Sequence, residues 1–203
     1  AVIGGGHLGR IHTRLLKNNS NVELIAVADT QASTREALHE EFQVPVTENY
    51  RGLVDKIDAA VIATPTATHY KIAADLLNRG IHTLIEKPVT NTTPQADHLI
   101  QLADRKKLVL QVGHVERFNP AFRKASQTLP NPRYLEARRM SGYTMRSTDV
   151  GVVMDLMIHD IDLLVSLVAS PLVETRAVGV SVFGPHEDIA QARLEFANGT
   201  VAN

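Results

Sequence analysis

The 203-residue chain has no cysteine, no tryptophan and no excess of charge of either sign. The absence of cysteine excludes disulfide bonds, thiolate metal sites and cysteine nucleophiles. Its 21 lysines and arginines balance 22 acidic residues, so it lacks the basic character that attracts nucleic acid. No apolar run approaches the roughly 20 residues that span a bilayer, and no stretch has the pattern of a signal peptide. The sequence therefore predicts no nucleic-acid partner, no membrane partner and a cytoplasmic location.

The composition that remains, 44% hydrophobic and 21% charged, is typical of a globular protein with a large core. The chain starts inside an apolar strand without an initiator methionine, and it ends shortly after Asn198-Gly199, a turn between two strands. We therefore expect a fragment of a longer protein whose last strand leaves a bare sheet edge.

The most informative motif is a glycine-rich turn at residues 4–9, which reads G-x-G-x-x-G between an apolar strand and a helix. Gly4 permits the tight turn, Gly6 lets a pyrophosphate approach the backbone, and Gly9 lets the helix pack closely on the sheet. The pyrophosphate then lies at a helix N-terminus, beside His7 and Leu8. The motif predicts a dinucleotide-binding turn, and the alternative is an ordinary glycine turn.

A carboxylate at the expected distance strengthens this prediction. The apolar run at residues 22–28 ends in Asp29, about 20 residues beyond Gly9, where the fingerprint needs an acid for the ribose hydroxyls. A carboxylate there repels a 2′-phosphate, and Thr30 and Gln31 bring no positive charge, so NAD is predicted over NADP. The alternative is that Asp29 caps the following helix.

Strand and helix patterns alternate along the first 120 residues, which predicts a Rossmann doubly wound parallel sheet. After about residue 130 the pattern changes to strands near 134–139 and 173–183, with a long apolar helix at 153–168 between them. We predict an NAD-binding domain over 1–120 and an α/β domain over 121–203. The strands of the first domain are expected near 22–28, 58–63, 82–85 and 108–112, and its helices near 32–40, 68–79 and 94–106.

The long apolar helix carries a possible acid–base pair. Asp155 and His159 are four residues apart, so on an α-helix they share a face where the carboxylate can orient the imidazole. Asp162 lies near the same face and competes for that role. The alternative is a buried histidine satisfied by a neighbouring acid. The nine histidines form no compact ligand set, so no metal site is predicted.

A third cluster, Glu86-Lys87-Pro88, follows a predicted strand at the sheet edge where α/β folds bind ligands. Beside a bound nicotinamide, the positive ring and desolvation would lower the pKa of Lys87 toward values useful in proton transfer. The alternative is a surface lysine in a loop.

In this order, the clusters resemble the Gfo/Idh/MocA family of oxidoreductases over essentially the whole chain. Residues 63–69 (A-T-P-T-A-T-H) are similar to the T-P-x-x-x-H loop of the family. Residues 113–120 (G-H-V-E-R-F-N-P) are similar to its G-x-x-x-R-F-x-P segment. The resemblance implies a Rossmann domain followed by an α/β domain with an open, mostly antiparallel sheet, truncated here, and a homo-oligomer.

The resemblance also implies functional roles. It makes Lys87, Asp155 and His159 the catalytic group, and it makes Arg117 and Asn119 candidates for substrate contact. For Arg117 the alternative is a salt bridge between the domains. The cofactor site then comprises Gly4, Gly6, His7, Leu8, Gly9, Asp29, Thr64, Pro65, His69, Glu86 and Lys87.

The implied activity is hydride transfer from a carbinol carbon of a sugar-like substrate to NAD, with either His159 or Lys87 taking the hydroxyl proton. The likeness is strongest to the branch that contains UDP-N-acetylglucosamine 3-dehydrogenases. Arg138, Arg139 and Arg146 supply charge that could meet a diphosphate, or they are solvated or paired. Free cyclic polyols or aldoses are the alternative substrates, and a sensor that binds NAD without catalysis is the alternative class.

Overall fold

The computed structural model describes residues 1–129, 131–142 and 150–203 of the chain. Two compact units are present, Ala1–Gly113 and His114–Asn203. In the described part of the chain, every helix is too short or too polar to cross a membrane. Arg146, a predicted source of charge for a diphosphate, lies outside the described residues.

The first unit is a six-stranded parallel sheet with the strand order β3-β2-β1-β4-β5-β6. This order confirms the predicted doubly wound fold, because the chain reverses direction across the sheet between β1 and β4. Ligands bind at the carboxyl ends of the strands beside such a switch point. The strands are β1 Val2–Ile3, β2 Val27–Ala28, β3 Val46–Thr47, β4 Ala59–Ile62, β5 His82–Ile85 and β6 Leu110–Val112.

Four α-helices cover this sheet, and their apolar residues supply much of its core. Leu76 and Leu77 of one helix and Leu99 of the next are fully buried against Ile62 and Ile85 of the sheet. Strands of a parallel sheet are buried on both faces, so most of their side chains here are apolar. The helices are α1 His7–Lys17, α2 Ala32–Phe42, α3 Thr66–Asn78 and α4 Thr93–Lys106, and a 3-10 helix spans Tyr50–Lys56.

The predicted strand at 22–28 is shorter than expected. Only Val27 and Ala28 join the ladder, opposite Val2 and Ile3.

The second unit contains a four-stranded mixed sheet with the order β7-β10-β9-β8. Its strands are β7 Tyr134–Leu135, β8 Leu172–Val180, β9 Ile189–Phe196 and β10 Val201–Ala202. Two of its three pairings are antiparallel, as predicted, and β10 pairs in parallel with β7. The expectation of a bare edge at the last strand is therefore wrong, because β7 covers β10.

The predicted long helix of this unit is built from two different helix types. It begins as a π-helix over Val153–Met157 and continues as α6 Ile158–Leu167. Leu164 and Val168 pack against Leu194, Phe196 and Ala202 of the sheet. A 3-10 helix at Val115–Phe118 and α5 Pro120–Ser126 precede the sheet.

Candidate functional site

The glycine-rich turn joins the end of β1 to α1 at the switch point. Gly4 has a φ of +96°, and a Cβ on it would lie 2.5 Å from the Ala63 carbonyl oxygen. A Cβ on Gly9 would overlap the Gly4 carbonyl oxygen, whereas one on Gly6 would meet nothing within 4 Å. Gly4 and Gly9 are therefore required by packing, and Gly6 borders open space that a side chain would fill.

This open space fits the pyrophosphate of a dinucleotide. Gly6 is the N-cap of α1 and has no side chain that could accept a hydrogen bond from the helix. The first N–H groups of the helix therefore face this space without a side-chain acceptor. His7 and Leu8 of the first turn are exposed beside it. These residues would hold the cofactor by backbone hydrogen bonds and by the positive end of the helix dipole.

Asp29 lies next to this turn, at the end of β2. Its Oδ2 accepts a hydrogen bond from the Gly5 N–H at 2.7 Å, and its Oδ1 accepts one from the Gln31 N–H at 2.8 Å. Gln31, rather than Asp29, is the N-cap of α2, so the predicted alternative of a capping acid is wrong. A carboxylate has about four acceptor positions, which leaves capacity for ribose hydroxyls.

Sequence reasoning missed Arg35, which fixes the loop that follows Asp29. Its Nη1 donates to the carbonyl oxygens of Asp29 and Thr30, at 2.9 Å and 3.0 Å. Arg35 lies in the first turn of α2, and its side chain reaches back to the loop at the end of β2. This contact depends on the folded backbone and could not be read from the sequence. Arg35 places a positive charge closer to the ribose position than the sequence suggested.

Replacing Asp29 with asparagine is expected to weaken NAD binding by about tenfold and to narrow the preference for NAD over NADP. The change removes a charged acceptor worth roughly 1.5–3 kcal/mol and leaves Arg35 nearby to attract a 2′-phosphate. Fluorescence titrations with NADH and NADPH measure both effects, and D55N, at an exposed position of the same unit, is the control. An unchanged ratio of the two affinities would contradict the role of Asp29.

The loops after β4 and β5 carry the other predicted cofactor residues of this unit. Pro65 is exposed and Thr64 is half-buried, and the Thr64 hydroxyl accepts a hydrogen bond from Thr68 at 2.7 Å. Lys87 is half-buried at the end of β5. Together with the glycine-rich turn and Asp29, these residues gather along the carboxyl edge of the sheet, as the motif positions predicted.

Two predicted cofactor residues, Glu86 and His69, are buried instead of lining the surface. Glu86 is 5% exposed, and its Oε1 lies 2.7 Å from Nε2 of His12 in α1. Its Oε2 accepts a hydrogen bond from the Lys87 N–H at 3.3 Å. Glu86 therefore connects α1 to the loop that carries Lys87. Sequence reasoning missed His12, although a buried acid demands such a partner.

In the second unit, Asp155 and His159 lie on one continuous helical segment but in different helix types. Asp155 is in the π-helical turn, and His159 is in the first turn of α6. The prediction that both lie on one α-helix is wrong, because hydrogen bonds in the π-turn run from i to i+5. Single π-turns are frequent at functional sites.

The loop between β8 and β9 packs against the start of this segment. The Glu187 carbonyl oxygen accepts a hydrogen bond from the Val152 N–H at 2.8 Å, and a Cβ on Gly151 would overlap the Glu187 carboxylate. Asp188 accepts hydrogen bonds from three backbone N–H groups of the same loop, and these bonds, that from Phe183 first, lower the pKa of Asp188. The loop thus fixes where the segment that carries Asp155 begins.

Arg117 and Asn119, the predicted substrate contacts, make bonds inside the second unit. Arg117 donates hydrogen bonds to both carboxylate oxygens of Asp162, at 2.7 Å and 2.6 Å. These bonds raise the pKa of the Arg117 guanidinium. Arg117 thus forms a salt bridge, as the alternative predicted; with the predicted boundary at residue 120 the bridge joins two domains, whereas both of its residues belong to the second compact unit. Asn119 accepts a hydrogen bond from the Ala121 N–H and thereby caps α5.

The described arginines that were candidates for a diphosphate are also paired. Arg138 lies 2.6 Å from Glu136, and Arg139 donates to Asp160 at 2.8 Å. These acids already neutralise the charge that a diphosphate would need.

Two family profiles together match the whole chain. Residues 1–114 match the oxidoreductase family with an NAD-binding Rossmann fold, and residues 112–203 match the GFO/IDH/MocA C-terminal domain. The first description confirms the predicted fold and the predicted cofactor, NAD.

Individual proteins show the same similarity. The chain is 41% identical over its whole length to UDP-N-acetylglucosamine 3-dehydrogenase of Acidithiobacillus ferrooxidans, of which it spans 64%. A solved structure of that protein superposes on this chain with a TM-score of 0.92. The match covers 100% of this chain and 67% of the solved chain. A protein from gentamicin A biosynthesis, whose structure was solved in complex with NAD, is 27% identical to this chain and has a TM-score of 0.92. The match covers 99% of this chain and 63% of that protein's chain.

Inositol 2-dehydrogenase of Rhizobium meliloti is a more distant relative. It is 27% identical over 80% of this chain and 52% of its own length. The matches of both units and the agreement of the folds lead to one assignment: the chain belongs to the Gfo/Idh/MocA family of oxidoreductases.

Proposed function

We propose that this chain is the NAD-binding and catalytic part of a dehydrogenase that oxidises the 3-hydroxyl of UDP-N-acetylglucosamine. The observation that carries the proposal is the 41% identity to such an enzyme over all 203 residues. It is supported by the glycine-rich turn and Asp29, whose geometry fits a dinucleotide. It is also supported by the family membership of both units.

In this proposal the first unit binds the cofactor and the second contributes the acid–base group. NAD, when bound, supplies the acceptor for the hydrogen and the two electrons that leave the carbinol carbon. His159 takes the hydroxyl proton on its imidazole, a group suited to proton transfer near neutral pH. Lys87 stabilises the negative charge that develops on the substrate oxygen. Asp155 orients the imidazole and stabilises its protonated form.

Arg117 is proposed to act on the substrate through the segment that carries His159, because it binds Asp162, three residues beyond that histidine. Asn119 instead caps α5, the helix that follows it. Direct substrate contact by either side chain stays a prediction, as do the homo-oligomeric state and the cytoplasmic location.

A dehydrogenase of free cyclic polyols is the second candidate. The observation that favours it is the pairing of Arg138 with Glu136 and of Arg139 with Asp160, because a polyol needs no positive charge. An inositol 2-dehydrogenase among the relatives agrees with it.

Reduction of NAD by the purified protein, measured with a ketone-trapping agent present, tests both candidates. The substrates are UDP-N-acetylglucosamine, related nucleotide sugars, free inositols and free aldoses. Turnover confined to the nucleotide sugar is expected, whereas turnover only on free polyols would transfer the same mechanism to the second candidate. Binding of NADH without turnover on any substrate would contradict both and would support a sensor.

A further inference from the structure

His69 occupies an unusual place for a residue expected at a cofactor site. It lies in the first turn of α3, and only 1% of it is exposed. Its Nδ1 is 2.9 Å from the Pro88 carbonyl oxygen, and its Nε2 is 2.7 Å from the Thr64 carbonyl oxygen. Both ring nitrogens therefore face carbonyl oxygens of the protein, to which a neutral imidazole can donate through one nitrogen and an imidazolium through both. The buried ring offers no polar atom to a ligand.

The two carbonyl groups belong to different loops at the carboxyl edge of the sheet. Thr64 lies in the loop after β4, and this loop also packs on Gly4 of the glycine-rich turn. Pro88 follows directly after Lys87 in the loop after β5. The imidazole thus spans the gap between the loop that borders the dinucleotide turn and the loop that carries the lysine.

We propose that His69 is a positioning residue that sets the Thr64 loop and the Lys87-Pro88 loop relative to each other, rather than a residue that contacts NAD. This inference rests on the proposed function. The Nε2 contact holds Thr64 where the cofactor binds, and the Nδ1 contact holds Pro88, and with it Lys87, where the substrate oxygen reacts. Each half of the ring therefore serves a different kinetic step.

The two contacts can be separated by substitution. The side-chain nitrogen of asparagine occupies nearly the position of Nδ1, and that of glutamine occupies nearly the position of Nε2, and each amide nitrogen is a donor. H69N should keep the bond to Pro88 and lose the bond to Thr64. H69Q should keep the bond to Thr64 and lose the bond to Pro88.

The experiment compares H69N, H69Q and H69L with the wild-type protein. It measures NADH binding by fluorescence titration, kcat and KM for NAD with the substrate that the turnover assay identifies, and Tm. H69N is expected to raise the Kd for NADH about tenfold while kcat stays within about twofold. H69Q is expected to lower kcat about tenfold or more, since small misplacements of a catalytic group are costly, while the Kd for NADH stays within about threefold. H69L should show both losses.

His39 provides a matched control in the same unit. Its Nδ1 also bonds a backbone carbonyl oxygen, that of Val44 at 2.9 Å, but away from the predicted cofactor residues. H39L should lower Tm without changing kcat or the Kd for NADH of the folded protein. If H69L does not fold, H69N and H69Q each retain one bond and still carry the comparison.

Equal effects of H69N and H69Q on Kd and kcat, or a fall in Tm alone in both, would overturn the inference. Failure of the proposed function is a separate result, because it appears as an unchanged protein that turns over none of the substrates. In that case only the Kd for NADH tests the inference. A higher Kd for H69N and an unchanged Kd for H69Q would support the inference, and any other result would overturn it.

Discussion

Replacing His159 with alanine is expected to lower the rate of NAD-dependent oxidation by about 10²–10⁴-fold while leaving NADH affinity within severalfold. For an enzyme with a kcat of about 10 s⁻¹, this loss of a general base leaves a kcat of about 0.1–0.001 s⁻¹. The affinity should persist because the glycine-rich turn, Asp29 and the Thr64 loop all belong to the first unit, whereas His159 belongs to the second. Initial rates of NAD reduction and an NADH titration on the same sample measure the two quantities.

The control for this substitution is K124A, at an exposed position of α5 in the same unit, which should leave turnover unchanged. K87M is the informative companion, because sequence reasoning left the base open between Lys87 and His159. Substantial turnover by H159A, with K87M inactive, would remove His159 from the mechanism and assign the proton transfer to Lys87.

Two alanine substitutions in the glycine-rich turn are expected to fail for different reasons. G9A should lower Tm by roughly 5–10 °C, because its Cβ overlaps the Gly4 carbonyl oxygen and overpacking of this kind costs about 1–3 kcal/mol. G6A should leave Tm nearly unchanged, because its Cβ meets no protein atom within 4 Å. G6A should nevertheless weaken NADH binding about tenfold or more, since the methyl group enters the space that the pyrophosphate needs.

Thermal unfolding with and without NADH, followed by NADH titration, distinguishes the two effects. G52A is the control, because a Cβ at that exposed position also meets nothing within 4 Å and lies in the 3-10 helix rather than in the turn. Full NADH affinity in G6A would show that the open space at Gly6 is not where the cofactor lies.

Periodicity and turn chemistry predicted the first unit well, because each of its elements is encoded locally. Helix α4, for example, was expected at 94–106 and spans Thr93–Lys106, and the glycine that ends α3 is Gly80. The errors came where pairing partners decide the structure. The strand β10, for example, gained a neighbour, β7, that lies more than 60 residues earlier in the chain.

The candidate site shows the same division. The motifs alone identified Gly4, Gly6, Asp29 and Lys87 as residues of one edge of the sheet, since parallel strands bring their carboxyl ends together. Spacing alone could not reveal the π-turn around Asp155, or the hydrogen bond by which the β8–β9 loop contacts the start of that helix.

By itself the sequence determined the doubly wound fold, the dinucleotide turn, NAD as the cofactor and the family, because each follows from short patterns with a fixed geometry. The tertiary structure alone decided which polar residues of those patterns stay partly exposed at the carboxyl edge of the sheet and which are buried against other parts of the protein. His69 and Glu86 stand in the same motifs as Thr64 and Lys87, yet they are buried against backbone carbonyls and His12. The physical reason is that a buried polar atom must find a partner, and only the packing of distant segments supplies one.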